Sequence, residues 1–193
     1  MEQSALTIEH GRLARYIGTD TALTLPDGVT RIGRRALSGC TALERLTLPD
    51  TLTELGEKAF SRCRRLHALR IPQGVTTLPR RVLSHCSHLA DITLPAGLLA
   101  IEELAFSGCR HLTEISLPDS LRKIGTRAFR RCHALTELEI PGAVDELGDQ
   151  IFEACKNLTR IYVHHAETRK RLRRQFPLFS GVQVILLDAE ERS

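Results

Sequence analysis

The chain of 193 residues contains no tryptophan, two tyrosines, one methionine and four lysines against 23 arginines. With aromatics at 4% of the composition, a core must be built from aliphatic side chains, and 30 leucines within a hydrophobic share of 42% suffice to build one. That content excludes a disordered chain, and the length fits one compact domain. No apolar run reaches the roughly 18 to 20 residues of a membrane span. Residues 1–12 carry Glu2, Glu9 and His10 in place of the basic start and apolar stretch of a secretory leader, so a cytoplasmic location is expected. The net charge of +4 is modest, and the arginine excess fits genome composition as readily as function.

Arrangements that carry catalysis are missing too. There is no Gly-x-Ser-x-Gly elbow, no glycine-rich phosphate loop, no His-Glu-x-x-His and no paired-carboxylate pattern. Neither an enzyme nor a cofactor is expected. What the sequence does have is a period. Leu-Pro or Ile-Pro recurs at Leu25, Leu48, Ile71, Leu94, Leu117 and Ile140, always 23 residues apart. Cys40, Cys63, Cys86, Cys109, Cys132 and Cys155 keep the same step without an insertion, as do Leu43, Leu66, Leu89, Leu112, Leu135 and Leu158. A unit of this size cannot bury an apolar face alone, so the copies must stack as a solenoid and share one core.

Each conserved feature of the unit has a physical use in such a stack. In Leu43-Glu-Arg-Leu-Thr-Leu48 the alternation points Leu46 and Leu48 inward and Arg45 and Thr47 outward, which reads as a short strand whose copies form a parallel sheet. Proline has no N–H for the ladder and ends each strand. Val29 and Ile32, then Leu52 and Leu55, anchor a second short extended run. Gly33, Gly56, Gly125 and Gly148 follow that run and suggest a positive φ or a close approach, although Pro79 and Glu102 replace them in two units. Ala59-Phe60, Ala105-Phe106 and Ala128-Phe129, each followed three residues later by Cys, suit a single helical turn that closes the coil.

A solenoid needs capped ends. Residues 1–24 are expected to form the N-terminal cap, with residues 5–8 and 13–17 as a small hairpin around His10-Gly11. Six repeats then occupy residues 25–162. Residues 163–193 form the C-terminal cap, a helix over 166–175 followed by a strand over 182–187, and the tail from Asp188 is expected to be loose. Phe176, Pro177, Leu178 and Phe179 would cover the last open coil. The whole is one structural domain and is taken as a monomer.

The run Ile-Gly-x-x-Ala-Phe-x-x-Cys-x-x-Leu at residues 124–135 resembles the BspA-type leucine-rich repeat family. The likeness extends over residues 24–163, with Leu37 and Leu83 standing where the family favours Phe. It implies a curved right-handed solenoid with short parallel strands, turns and single-turn helices, acting by binding other macromolecules. It also implies adhesion-type proteins that are often on the bacterial surface or secreted, which is the alternative to a cytoplasmic location.

Several residue sets could carry function. The cysteines lie too far apart in sequence for the paired ligands of a zinc site. Neighbouring coils would bring their Cα atoms within disulfide range, but parallel Cβ vectors oppose the bond, and a buried thiol ladder is expected instead. His85, His88, His111 and His133 could form a ridge without a carboxylate beside it, and Ser38, Ser61, Ser84 and Ser107 repeat because the turn repeats. Five cations, Arg169, Lys170, Arg171, Arg173 and Arg174, could attract nucleic acid or an anionic membrane surface. Leu172 and Phe176, four apart, make the apolar edge of a capping helix the simpler reading, and stacking aromatics are missing.

The remaining candidate is the outward side of the repeat strands. One column reads Arg45, Ala68, Asp91, Glu114, Glu137 and Arg160, and the next holds Arg70, Glu139 and Tyr162. At about 4.8 Å between rungs, Asp91, Glu114, Glu137 and Glu139 would concentrate negative charge between arginines, where a basic segment of a protein partner could dock. An ordinary solvated sheet face is the competing reading. The expected function is a non-enzymatic protein-interaction module of unidentified partner, with nucleic-acid binding through the basic C-terminal helix as the reading from another class.

Overall fold

A computed structural model describes residues 5–176 and 181–187. In chain order its elements are β1 (Leu6–Glu9), β2 (Arg12–Tyr16), β3 (Ala22–Thr24), β4 (Arg31–Ile32), β5 (Arg45–Thr47), β6 (Glu54–Leu55), β7 (Ala68–Arg70) and β8 (Thr77–Leu78). They continue with β9 (Asp91–Thr93), β10 (Ala100–Ile101), β11 (Lys123–Ile124), β12 (Glu137–Ile140), β13 (Glu146–Leu147), β14 (Arg160–Val163), α1 (Ala166–Arg173) and β15 (Gln183–Leu186). The chain is a β-solenoid with two lines of parallel strands and a third side of turns around a single core. Leu43, Leu66, Leu89, Leu112 and Leu135, successive copies of one position, are fully buried in it.

The first sheet contains β3, β5, β7 and β9, each offset from the last by one repeat, so that Ala22 pairs with Arg45, Arg45 with Ala68 and Ala68 with Asp91. It resumes as β12, β14 and β15, with Glu137 opposite Arg160 and Arg160 opposite Gln183. Between the two halves lies the rung of residues 113–117, which among the described residues has no backbone N–H bonded to either neighbouring coil.

The second sheet is also in two parts, and the break falls on the rung that ends in Pro79. The N–H groups of Gly33, Gly56, Glu102, Gly125 and Gly148 donate to the coil before, at 2.7 to 2.9 Å. Pro79 holds the same position and has no N–H to give. The sheet stops at β6 and restarts at β8, running on through β10, β11 and β13.

The glycines at this position have ordinary negative-region φ values, so of the two reasons the pattern suggests, close approach is the one that applies. A Cβ on Gly56 would stand 2.5 Å from the amide nitrogen of Arg34, and one on Gly125 would stand 2.5 Å from that of Glu103. The left-handed backbone lies two residues later, at Arg35 (φ 58°), and again at Gly39 (φ 83°). The same two positions are left-handed in every coil through Gln150 and Ala154.

Those left-handed residues correct the expectation of single-turn helices. From Gly33 to Cys40 the chain makes linked β-turns instead, with the Ala36 N–H bonded to Gly33 O, Ser38 to Arg35 O and Cys40 to Leu37 O. A helical turn would keep its remaining N–H groups for its own carbonyls. Here alternate N–H groups point along the solenoid axis: those of Arg35, Leu37 and Gly39 donate to the carbonyls of Glu57, Ala59 and Ser61 at 3.0, 2.9 and 2.8 Å. This triplet recurs at every junction to that between Arg127-Phe129-Arg131 and Asp149-Ile151-Glu153. The turn side is thus the one line of the solenoid whose ladder is unbroken along the repeats.

Inside this ladder the phenylalanines stack. The ring centroids of Phe106 and Phe129 are 5.3 Å apart, those of Phe129 and Phe152 5.7 Å, and those of Phe152 and Phe176 6.4 Å. Leu83 separates Phe60 from this column, so the aromatic stack fills only the C-terminal half.

The ends are closed as a solenoid requires. At the N-terminus β1 and β2 form an antiparallel hairpin, and β2 pairs in parallel with β4, becoming the first rung of the second sheet. At the C-terminus α1 buries Leu172. Gln175 bridges the last turn: its Oε1 accepts from the Ile151 N–H at 3.1 Å and its Nε2 donates to Gly148 O at 2.7 Å, two groups whose equivalents, such as Ala128 N–H and Gly125 O, bond directly in the other coils. The strand expected at 182–187 is β15, which extends the first sheet beyond β14. Pro177, Leu178, Phe179 and the tail from Asp188 lie outside the described residues.

Candidate functional site

The outward strand face follows directly from the pleat. Leu46, Leu69, Ile92, Ile115, Leu138 and Ile161 are buried, and the residues that flank them in sequence project to solvent, Tyr162 being half-buried. Register places Arg45, Ala68 and Asp91 in one row, with Arg70 beside Thr93 in the next. In the other half it places Glu137 beside Arg160 and Glu139 beside Tyr162. Glu114 is exposed on the same side, on the rung that joins neither half of the ladder.

The carboxylates differ in their surroundings. Glu137 Oε2 lies 3.5 Å from Arg160 Nη1 and accepts from the Tyr162 hydroxyl at 3.5 Å. Glu139 Oε1 lies 2.8 Å from His164 Nε2. Arg70 turns away from the acidic rows to pair with Asp50 at 2.8 Å. Asp91 and Glu114 have no charged partner among the described residues. The structure therefore brings Glu137, Glu139, Arg160 and Tyr162 into one contact set and leaves Asp91 and Glu114 open. His164 and Asp50 fall outside the two columns of the period, and repeat arithmetic alone had no means of finding them.

The six cysteines are free thiols. From Cys63 to Cys155 they form a ladder in which each Sγ donates to a carbonyl 26 residues earlier, Cys63 to Leu37 O at 3.1 Å and Cys109 to Leu83 O at 3.3 Å. Burial pushes the Cys86 thiol up to about 12 and raises Cys109 and Cys132 as well, so they remain protonated and act as core donors. Of the four histidines expected on a ridge, His88 and His111 stack at 5.0 Å, with His67 edge-on to His88 in place of His85 or His133, and the Nδ1 atoms of His88 and His111 lie 2.7 and 2.6 Å from the carbonyls of Arg64 and Ser87. Each imidazole thus continues the coil-to-coil bonding. Ser61 Oγ likewise lies 3.2 Å from Ser84 O.

The basic segment is in large part a cap. Arg171 sets its guanidinium fork on Asp145 O and Leu147 O at 3.0 and 2.9 Å, and Arg169 Nε donates to Val184 O at 3.2 Å. These two side chains close the strand ends below the helix, leaving Lys170, Arg173 and Arg174 exposed. No helix among the described residues is long and apolar enough to cross a membrane.

Comparison with known proteins agrees with this architecture. A family profile described as BspA type leucine rich repeat region matches residues 17–105 and 89–170, with six copies of the repeat. Among solved structures, a leucine-rich repeat protein of T. pallidum (TpLRR) is 28% identical with a TM-score of 0.56, over 78% of this chain and 62% of that one. Leucine-rich repeat proteins from Bacteroides ovatus and Eubacterium ventriosum are 21% and 24% identical, with TM-scores of 0.59 and 0.62. They are matched over 87% and 75% of this chain and 54% and 46% of theirs, so the chain spans less than two thirds of each of these three proteins. No curated protein matches the sequence.

Proposed function

From the fact that this chain belongs to the BspA-type leucine-rich repeat family, we propose that it is a non-enzymatic interaction module that docks a protein partner on the outward face of its first sheet. Leucine-rich repeat proteins of this kind serve in protein–protein interaction or adhesion. The observation that carries the choice of face is the pair of open carboxylates, Asp91 and Glu114, beside a rung at 113–117 that has no backbone N–H bonded to its neighbours among the described residues. A basic, extended partner segment meets uncompensated negative charge there. Glu137 and Glu139, already paired, form the rim.

The test is affinity capture from the source organism's lysate and culture supernatant, comparing the wild type with Glu114→Arg/Glu137→Arg after circular dichroism shows equal folding. A partner retained by the wild type and lost by the double variant supports the reading. One captured equally by both removes this face. The adhesion reading from the family is a second form of the same proposal, and fractionation decides it: recovery of protein and partner at the cell surface or in the medium favours an adhesin, recovery in cytosol a scaffold.

A further inference from the structure

The turn side carries a feature unrelated to the acidic strand face. The first five coils place Arg35, Lys58, Arg81, Leu104 and Arg127 at one left-handed turn position, and Gly39, Arg62, His85, Gly108 and Arg131 at the next. Between these two lanes lies a groove of about 530 Å³, floored by Ser38, Ser61, Ser84 and Ser107 and closed at the fifth coil by Arg130.

The cations divide by partner. Lys58 lies 3.0 Å from Glu57, and Arg127 and Arg130 lie 2.8 and 3.0 Å from Glu153. Arg35, Arg62 and Arg81 have no carboxylate and no side-chain hydrogen bond among the described residues, although all three line the one groove. The positive field is felt locally: loss of water on burial, then the charges of Arg62, Arg110, Arg131 and Arg64, hold the His85 pKa below its ordinary value.

Three observations define what can fill the groove. Arg35, Lys58, Arg62 and Arg81 fall on three consecutive coils at about 4.8 Å per rung, so a ligand that spans them is elongated along the solenoid and carries more than one anionic group. No Phe, Tyr or Trp side chain lines it, Phe60, Phe106 and Phe129 being fully buried beneath, and the single ring of His85 gives no succession of platforms for a run of unstacked bases. The axial N–H groups of the turns are all bonded to the next coil, so an added peptide strand would find no ladder to join. What remains on offer is guanidinium forks, which match tetrahedral oxyanions.

We propose that this groove binds a linear polyanion bearing sulfate or phosphate esters or anhydrides on a backbone without aromatic bases, laid along the solenoid axis. This site is independent of the strand-face proposal, and either can fail alone.

Fluorescence anisotropy on the full chain tests it, with a labelled heparin-type sulfated oligosaccharide and inorganic polyphosphate as probes of the two sources, and poly-dT, duplex DNA and an acidic peptide of matched charge as competitors. Arg35→Gln/Arg62→Gln/Arg81→Gln is the test variant, Arg62→Gln alone a milder one at an exposed turn, and Arg173→Gln/Arg174→Gln the control. The expected result is salt-sensitive binding of the glycan, polyphosphate or both, weakened about tenfold or more by the triple variant and about threefold by Arg62→Gln, with the control within about twofold of the wild type. No binding of either probe, equal binding by folded groove variants, loss in the control, or tighter binding of poly-dT, duplex DNA or the peptide overturns the proposal.

Discussion

Cys86 Sγ lies 3.1 Å from the carbonyl oxygen of Phe60 and donates to it across the coil boundary. The cysteine column is thus a line of hydrogen bonds inside the core, and its chemistry follows from burial. Cys63, Cys86, Cys109 and Cys132 are buried, and Cys40 and Cys155 are half-exposed. With a thiol-reactive chromophore at pH 8, two thiols per chain are expected to react quickly and four only at the rate of unfolding. Six fast thiols would show that the ladder opens in the native state.

Replacing Cys86 by alanine removes one of two donors to Phe60 O, which keeps the Cys63 N–H. The expected loss is about 0.5 to 1.5 kcal/mol in urea unfolding, with the slope of the transition unchanged.

The close approach at Gly56 makes a second prediction with its own control. Gly56→Ala forces the Arg34 backbone aside and is expected to cost about 1 to 3 kcal/mol, as for overpacking of a core. Gly97 has nothing within 4 Å of a Cβ, and Gly97→Ala is expected to change stability by less than about 0.5 kcal/mol. Equal effects in the two variants would contradict the approach of the coils at Gly56.

Gln175 bridges the last turn with both ends of its amide. Gln175→Ala strands the Ile151 N–H and Gly148 O, and the last coil is expected to lose about 1 to 3 kcal/mol of local stability. Hydrogen exchange should locate the loss at Ile151, while amides around Phe60 keep their protection.

His85 links the basic turns to pH. Its folded pKa is lowered, first by burial and then by the surrounding arginines, so the unfolded chain takes the proton more readily. Its contribution to stability is full above the unfolded pKa of about 6.5 and is lost as pH falls from there through the folded pKa. His85→Gln removes that loss. The drop in Tm between about pH 7.5 and pH 5 is expected to be smaller in the variant, and an equal or larger drop would show that His85 does not feel this field.

Much of this fold is written in the spacing of single residues. The alternation at Leu46 and Leu48 and the recurrence of Leu25-Pro26 define inward and outward sides, because a parallel ladder preserves the period from coil to coil. The turns were hidden for a physical reason. Ala59, Phe60 and Cys63 have helical spacing, but linked β-turns bury the same three positions, and the left-handed places fall on Arg35 and Lys58, which give no sign of it. Pro79 was visible as a substitution. That a sheet breaks on its rung, and that the N–H it lacks is bonded in the other coils, are facts of the assembled solenoid. The acidic column assumed equal rungs, and residues 113–117 break that regularity at Glu114. The open arginines of the groove, Arg35, Arg62 and Arg81, are distant in the chain, and only the turn geometry makes them neighbours.

The turn-side ladder has a mechanical consequence. Both strand lines are interrupted, one at Pro79 and one at residues 113–117, whereas the turn line carries three bonds at every junction between repeats. Such a body flexes like a bound book. The turn edge is the spine and keeps its length, and curvature changes by fanning of the strand edges at their two gaps. Distances between side chains on the spine, Arg35 to Arg81 among them, are then a ruler that holds its graduations while the opposite faces open and close.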